Sequence, residues 1–221
     1  MKRVNAIIKM HFTNLGLVAL LALPTAFAAP LALTPLTLSG AEAVSLTAQQ
    51  ILAVAPTSAT CSTVGSSGCR TADQVARWIG KSFTSFSISS KAEQAAVFGL
   101  MAFESAEFKY NINQQGHVGQ GTYNMQSGAY NLKYAQSIPV LREMLAVVGT
   151  TDLNMVRKLV LADEFSFASG AWFLVTQCSA EVRKQLQTGS QQGWAQYISQ
   201  CVGTEPEPRK AYWQAAVAAL A

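Results

Sequence analysis

The sequence predicts a mainly α-helical domain wrapped round one buried central helix, with a long polar loop after that helix and little or no sheet. Three observations predict it. Half of the 221 residues are hydrophobic and only 13% are charged, which suits one domain with a full core. From Thr71 onward apolar residues recur at helical spacing behind Ser, Thr and Asp residues placed as caps. Strand-like alternation is poor throughout, and there is no internal repeat.

The N-terminus has a basic start (Lys2, Arg3, Lys9), an apolar centre from Leu15 to Leu23, and a small-x-small site at Ala26-Phe27-Ala28. Residues 1–28 therefore read as a signal peptide cut after Ala28, with an uncleaved anchor as the alternative. The apolar run is short for a membrane span. Residues 29–45, rich in Pro, Leu, Thr and Ala, read as a flexible lead-in or propeptide, and residues 46–221 as the domain.

Within the domain a short helix is expected near Leu46 to Ala53, then a Ser/Thr/Gly loop from Ala55 to Arg70. Thr71 caps a helix whose Val75, Trp78 and Ile79 share one face. Ser89-Ser90 opens the central helix, expected to run to about Phe108. Lys109 to Gly128 is the polar loop, and loops of that length in compact domains are commonly functional. Helix resumes over Tyr130 to Ile138, is stopped or bent at Pro139, and continues to Val148. Further helices are expected over Asp152–Ala162, Phe165–Gln177, Ser179–Gln187, Ser190–Val202 and Pro206–Leu220.

Removing the signal peptide takes away three of 16 basic residues and no acid, leaving 13 against 12 and a net charge of +1. No Lys/Arg cluster survives, which argues against a nucleic-acid partner. No other apolar run is long enough for a span, so no membrane partner is expected once the signal is gone. Cys61, Cys69, Cys178 and Cys201 form an even set in a chain read as secreted and extracellular, which favours two disulfides. Three pairings are possible. Cys61–Cys69 and Cys178–Cys201 close local loops and are preferred. A metal site is not expected, because there is no CxxC spacing and no histidine nearby.

Glu104 is the candidate reactive group. Nine uncharged residues, Ala95 to Phe103, precede it, and on a helical wheel Val97, Leu100, Met101 and Phe108 share its side. Apolar neighbours and a helix C-terminus both favour a protonated carboxyl, as a general acid needs. The plain alternative is a solvated glutamate or an ion pair with Lys109 or Arg142.

Glu104-Ser105 with Phe108, followed by the Gly-rich Gly116 to Gly121 and then Tyr123-Asn124-Met125-Gln126, resembles the lysozyme-like superfamily. The likeness is specifically to soluble lytic transglycosylases and goose-type lysozymes; the overall run, including Phe108 to Asn113 and the Cys178 to Trp213 tail, also resembles secreted proteins of filamentous fungi with lysozyme-like domains. Tyr123-Asn124 stands where Gly-Leu is usual, and Gly170 to Leu174 resembles the helix under that family's site. The resemblance covers Thr71 to Trp213. It implies a lysozyme-like helical domain in which Glu104 is the general acid and then base. Ser105 would lie near the bond being cut, and Met125 and Gln126 would line the cleft. Tyr123, Asn124 and Tyr134 would contact the sugar. Met125 as plain core, and Asn124 and Gln126 as loop caps, are the alternatives.

The implied function is a secreted, antibacterial glycoside hydrolase or lytic transglycosylase. Its substrate would be a β-1,4-linked amino-sugar polymer: peptidoglycan first, chitin or chitosan as the alternative. Hydrolase and transglycosylase stay open, because the second carboxylate that ordinary hydrolysis requires is missing nearby. Asp163 or Glu164 is the remote candidate. No cofactor is implied, and a monomer is expected. A non-catalytic glycan-binding protein on the same scaffold, and a matrix protein with purely structural helices, are the competing readings. A Ser-His-Asp triad would have to use His117 with no GxSxG motif, and GxGQG lacks the lysine of a phosphate loop.

Overall fold

A computed structural model describes residues 44–61 and 68–221. The expected signal peptide, and the lead-in up to residue 43, lie outside the described residues. Eleven α-helices are found among the described residues: α1 (Ala48–Val54), α2 (Ala72–Ser85), α3 (Lys91–Glu104), α4 (Gly128–Ser137), α5 (Pro139–Val148), α6 (Leu153–Leu159), α7 (Asp163–Ser166), α8 (Ser169–Gln177), α9 (Ala180–Gln187), α10 (Gln191–Gln196) and α11 (Lys210–Leu220). No strand occurs among them; two isolated antiparallel bridges, Ile112–Gly121 and Gly121–Gln126, hold the polar loop. The expected mainly α class is what the structure shows.

Local chemistry sets most helix starts. Thr71 and Gln74 close a capping box on α2, and Asp152 accepts from the backbone of Asn154 and Met155 on α6. Ser90, Ser127, Ser179 and Ser190 cap α3, α4, α9 and α10 through side-chain oxygens. Pro139 is the first residue of α5, where its missing N–H costs nothing. Packing of Val44 and Leu46 begins slightly before the expected boundary, since the Val44 N–H is bonded to Thr84 Oγ1 at 3.0 Å and Leu46 is buried.

Five expected spans differ: α6 ends at Leu159 rather than Ala162, the stretch from Pro206 opens as a 3₁₀ turn over Glu207–Arg209 before α11, and three more depart as follows. The central helix α3 ends at Glu104 rather than Phe108, because Ala106, Glu107 and Phe108 turn left-handed. The single helix expected over Phe165–Gln177 is two, α7 and α8, broken at Phe167-Ala168. The last turn of the Ser190–Val202 helix widens into a π-helical turn over Tyr197–Val202.

Helix α3 is the centre of the larger core. It packs against α8, α9 and α11, and everything from Ala95 to Ala102 is buried. Gly99 permits the α3–α11 crossing: a Cβ there would stand 2.9 Å from the Trp213 backbone. A second core, with Tyr134, Leu141, Leu145, Val156 and Trp172, joins α4, α5, α6 and α8. The disulfides are Cys61–Cys69 and Cys178–Cys201, with Cα atoms 5.8 and 5.2 Å apart. They are compatible with an oxidising compartment.

Candidate functional site

Glu104 closes α3 at the rim of an open cleft of about 800 Å³. The chain leaves the helix through three consecutive non-glycine residues at positive φ: Ala106 (51°), Glu107 (60°) and Phe108 (64°). Such residues cost about 1–2 kcal/mol each, so the turn needs fixing from outside. Ser105 supplies part of that. Its Oγ donates to Met101 O at 2.6 Å and accepts from the Phe108 N–H at 2.9 Å. The carboxylate of Glu107 accepts from the Thr57 N–H at 2.6 Å and from the Tyr212 hydroxyl at 3.0 Å. Phe108 is fully buried, its ring 5.8 Å from Tyr123, 5.9 Å from Phe167 and 6.3 Å from Phe98.

Facing Glu104 is the loop Gly119 to Ser127, itself strained at Thr122 (φ 66°) and Met125 (φ 47°). Asn131 of α4 holds it: Nδ2 donates to Gly119 O and Gln126 O, and Oδ1 accepts from Gln126 Nε2. Gln120 Nε2 donates to Met125 O at 2.9 Å. A smaller hollow of about 250 Å³ continues the cleft past Glu104 and shares Gln120, Met125, Ser127 and Arg209 with it. Asn124 and Gln126 line this smaller hollow, 9% and 5% exposed. The oxygens Asn124 Oδ1 and Gln126 Oε1 have no hydrogen-bond partner among the described residues.

Glu104 has a partner that sequence reasoning did not find. Arg209, 105 residues away, donates through Nε (2.8 Å) and Nη2 (2.6 Å) to Glu104 Oε1. The two side chains are 19% and 13% exposed. Arg209 is itself fixed, with Nη1 on Glu205 O at 3.0 Å and its guanidinium 4.6 Å from the centre of the Phe103 ring. Neither Lys109 nor Arg142 takes this place; Lys109 Nζ donates to Thr57 O at 2.6 Å. No local spacing marks Arg209, which arrives from the short 3₁₀ turn leading into α11.

The other expected site residues divide by location. Met125 lies against both hollows. Ser105 borders the larger one, but its hydroxyl is committed to backbone. Tyr123 and Tyr134 border neither, being fully buried. Tyr123 stacks on Phe167 at 4.1 Å and its hydroxyl donates to Gly68 O; Tyr134 donates to Phe165 O. Burial raises both phenols above their ordinary range. Tyr197 is raised likewise, chiefly by burial and further by the charges of Glu104 and Glu93. Its hydroxyl is buried without a partner among the described residues. Asp163 is bonded to Arg70 at 2.8 Å, and neither it nor Glu164 borders a hollow, so Glu104 is the one acid among the lining residues.

Among the described residues no three His, Cys, Asp or Glu side chains come together as a metal would require. The four cysteines are in disulfides, and His117 on the cleft is the one described histidine.

No family model matches the chain, and no solved structure does. A protein of Fusarium oxysporum (strain Fo5176), named as a bifunctional dioxygenase (DOX)-epoxy alcohol synthase (EAS), is 46% identical over 154 residues. That stretch is 66% of this chain and 12% of the relative's length. The comparison corrects the expected function. The relative is named for oxygenation and for epoxy alcohol synthesis, not for glycan cleavage, so glycoside hydrolase, lytic transglycosylase and antibacterial activity are withdrawn. The site gives a physical reason for the same correction. Its carboxylate is tied to a guanidinium, and no second carboxylate faces it.

Proposed function

We propose that this chain is a ligand-holding module of the kind of system its relative is named for. Its cleft would take an epoxy alcohol, an apolar carbon chain bearing a hydroxyl beside an oxirane, without forming it. The observation that carries this reading is the 46% identity over 154 residues to a protein named for epoxy alcohol synthesis. The cleft supports it with two kinds of surface. Phe103, Ile112 and Val118 offer apolar wall, while Asn113, Gln114 and Gln115 offer amide N–H groups to hydroxyl and oxirane oxygens.

Oxygen activation is the work of a redox-active metal or organic cofactor. Among the described residues no three His, Cys, Asp or Glu side chains come together and the four cysteines are in disulfides, so no oxygenation step is assigned to them. Export of the chain belongs to this proposal, on the signal-like residues 1–28 and the two disulfides. So does a lysozyme-like arrangement of the helices, as architecture alone, on the buried helix ending at Glu104-Ser105.

The test is NMR titration of the full chain with the methyl ester of an epoxy alcohol, made chemically from an unsaturated fatty acid. The parent alkene ester and a chitin oligomer are the controls. Shifts at Phe103 and Ile112 to Gln120 are expected, with the alkene ester about tenfold weaker for the loss of a hydrogen bond. Equal binding of the two esters, preferential binding of the oligomer, or no shift in the cleft overturns the reading.

A further inference from the structure

A second hollow lies away from the cleft and shares no lining residue with it. It holds about 200 Å³ between the start of α3, the α9–α10 junction and the end of α11. Its wall is Leu186, Trp194, Trp213 and Leu220, all buried. The two indoles stack at 4.7 Å and 11°. Val217, 41% exposed, stands at the rim. This is an apolar socket, unlike the amide-lined cleft.

One charged side chain borders it. Lys91, the first residue of α3, borders the hollow and is exposed, and among the described residues no hydrogen bond or ion pair engages its ammonium. The acid two residues on, Glu93, is buried and bonded to Arg183 at 2.8 Å. The N-terminal end of α3 brings partial positive charge to this mouth and the C-terminal end of α11, with Leu220 and Ala221 in the lining, brings partial negative charge, so the Lys91 ammonium sets the sign. Apolar depth below a single lysine, the one charged side chain in the lining, complements a molecule with an apolar tail and an anionic head.

We infer that this socket is a binding site for a small amphipathic carboxylate, with the tail against Trp194 and Trp213 and the head at Lys91. At about 30 Å³ for each water-sized group, the volume takes roughly six or seven methylene-sized groups. A medium-length alkanoate fits; a long acyl chain leaves its excess outside. The site is independent of the epoxy alcohol reading, which concerns the cleft and a neutral ligand.

The test is tryptophan fluorescence of the full chain titrated below micellar concentrations with octanoate, octanol and octylamine, on the wild type and on Lys91→Met and Ala92→Phe. Octanoate is expected to change the emission saturably and to bind more tightly than octylamine. Lys91→Met keeps the apolar stem but removes the charge. It should weaken octanoate about three- to fivefold, the size of a solvent-exposed ionic contact, and leave octanol unchanged. Ala92→Phe should fill the mouth and abolish saturation. An octanoate-to-octanol ratio unmoved by Lys91→Met, undiminished binding in a folded Ala92→Phe, or no saturable signal from octanoate overturns the inference.

Discussion

Replacing Arg209 with alanine should destabilise the domain by about 2–3 kcal/mol. The guanidinium places two charge-assisted bonds on Glu104 Oε1 at 2.8 and 2.6 Å. It also donates to Glu205 O at 3.0 Å and lies over Phe103 at 4.6 Å. Bonds to charged groups contribute about 1.5–3 kcal/mol and a cation–π contact about 0.5–1. The pair is 13% and 19% exposed, between the surface case of at most about 1 kcal/mol and the buried case of about 3–5. Glu104→Gln keeps an oxygen able to accept from Arg209 and should cost about 1 kcal/mol. Urea unfolding of the wild type, both single variants and the double variant closes a double-mutant cycle. The expected coupling is about 1–2 kcal/mol at unchanged m-value. Additive losses, with coupling under about 0.5 kcal/mol, would refute the lock and return Glu104 to the pool of free carboxylates.

Three more expectations follow from the same structure. Tyr123, Tyr134 and Tyr197 are buried phenols whose folded pKa values lie above normal. The unfolded chain therefore loses these protons first, near pH 10. Their contribution is intact below that pH and is lost as pH rises above it, by about 4 kcal/mol per pH unit for three phenols at about 1.36 each; urea midpoints between pH 9 and 11 check this, and a flat profile contradicts it. Ala106→Gly relieves a φ of 51° and should stabilise by about 0.5–1 kcal/mol, the left-handed penalty less glycine's extra chain entropy, read as a raised melting temperature. Replacing Cys178 and Cys201 with serine opens a loop of 23 residues and should cost about 3 kcal/mol, seen as a lower urea midpoint than in the oxidised wild type.

Helix starts were legible in the sequence because their determinants are local. Thr71 with Gln74, Asp152, and the serines 90, 179 and 190 each act within three residues of themselves. The end of α3 was not legible, because Ala106, Glu107 and Phe108 adopt positive φ without a glycine or asparagine to announce it. The break at Phe167-Ala168 carries no proline or glycine either. The resemblance made Tyr123 and Tyr134 contacts to a sugar. Their phenols instead find backbone acceptors, Gly68 O and Phe165 O, 55 and 31 residues away. The helical wheel put Glu104 among Val97, Leu100 and Met101, but those residues face other helices on an all-round buried α3. Arg209 was invisible for the same reason: its distance to Glu104 is a property of α11 packing on α3.

The Glu-Ser-x-x-Phe pattern therefore carries architecture before it carries chemistry. Three left-handed residues together cost about 3–6 kcal/mol on a per-residue cost of about 1–2. Burying Phe108 offsets about 1.5–3 of that, and its three aromatic contacts add about 0.5–1.5 each. The Ser105 hydroxyl, bonded in both directions, holds the same turn through its backbone. The turn after Glu104 is thus held by Phe108 and Ser105 whatever the glutamate does. A chain that keeps this pattern keeps a carboxylate at the mouth of a cleft. Whether that carboxylate moves protons depends on what stands opposite it. Here Arg209 stands opposite, so the turn geometry and the acid chemistry expected of it come apart at one ion pair.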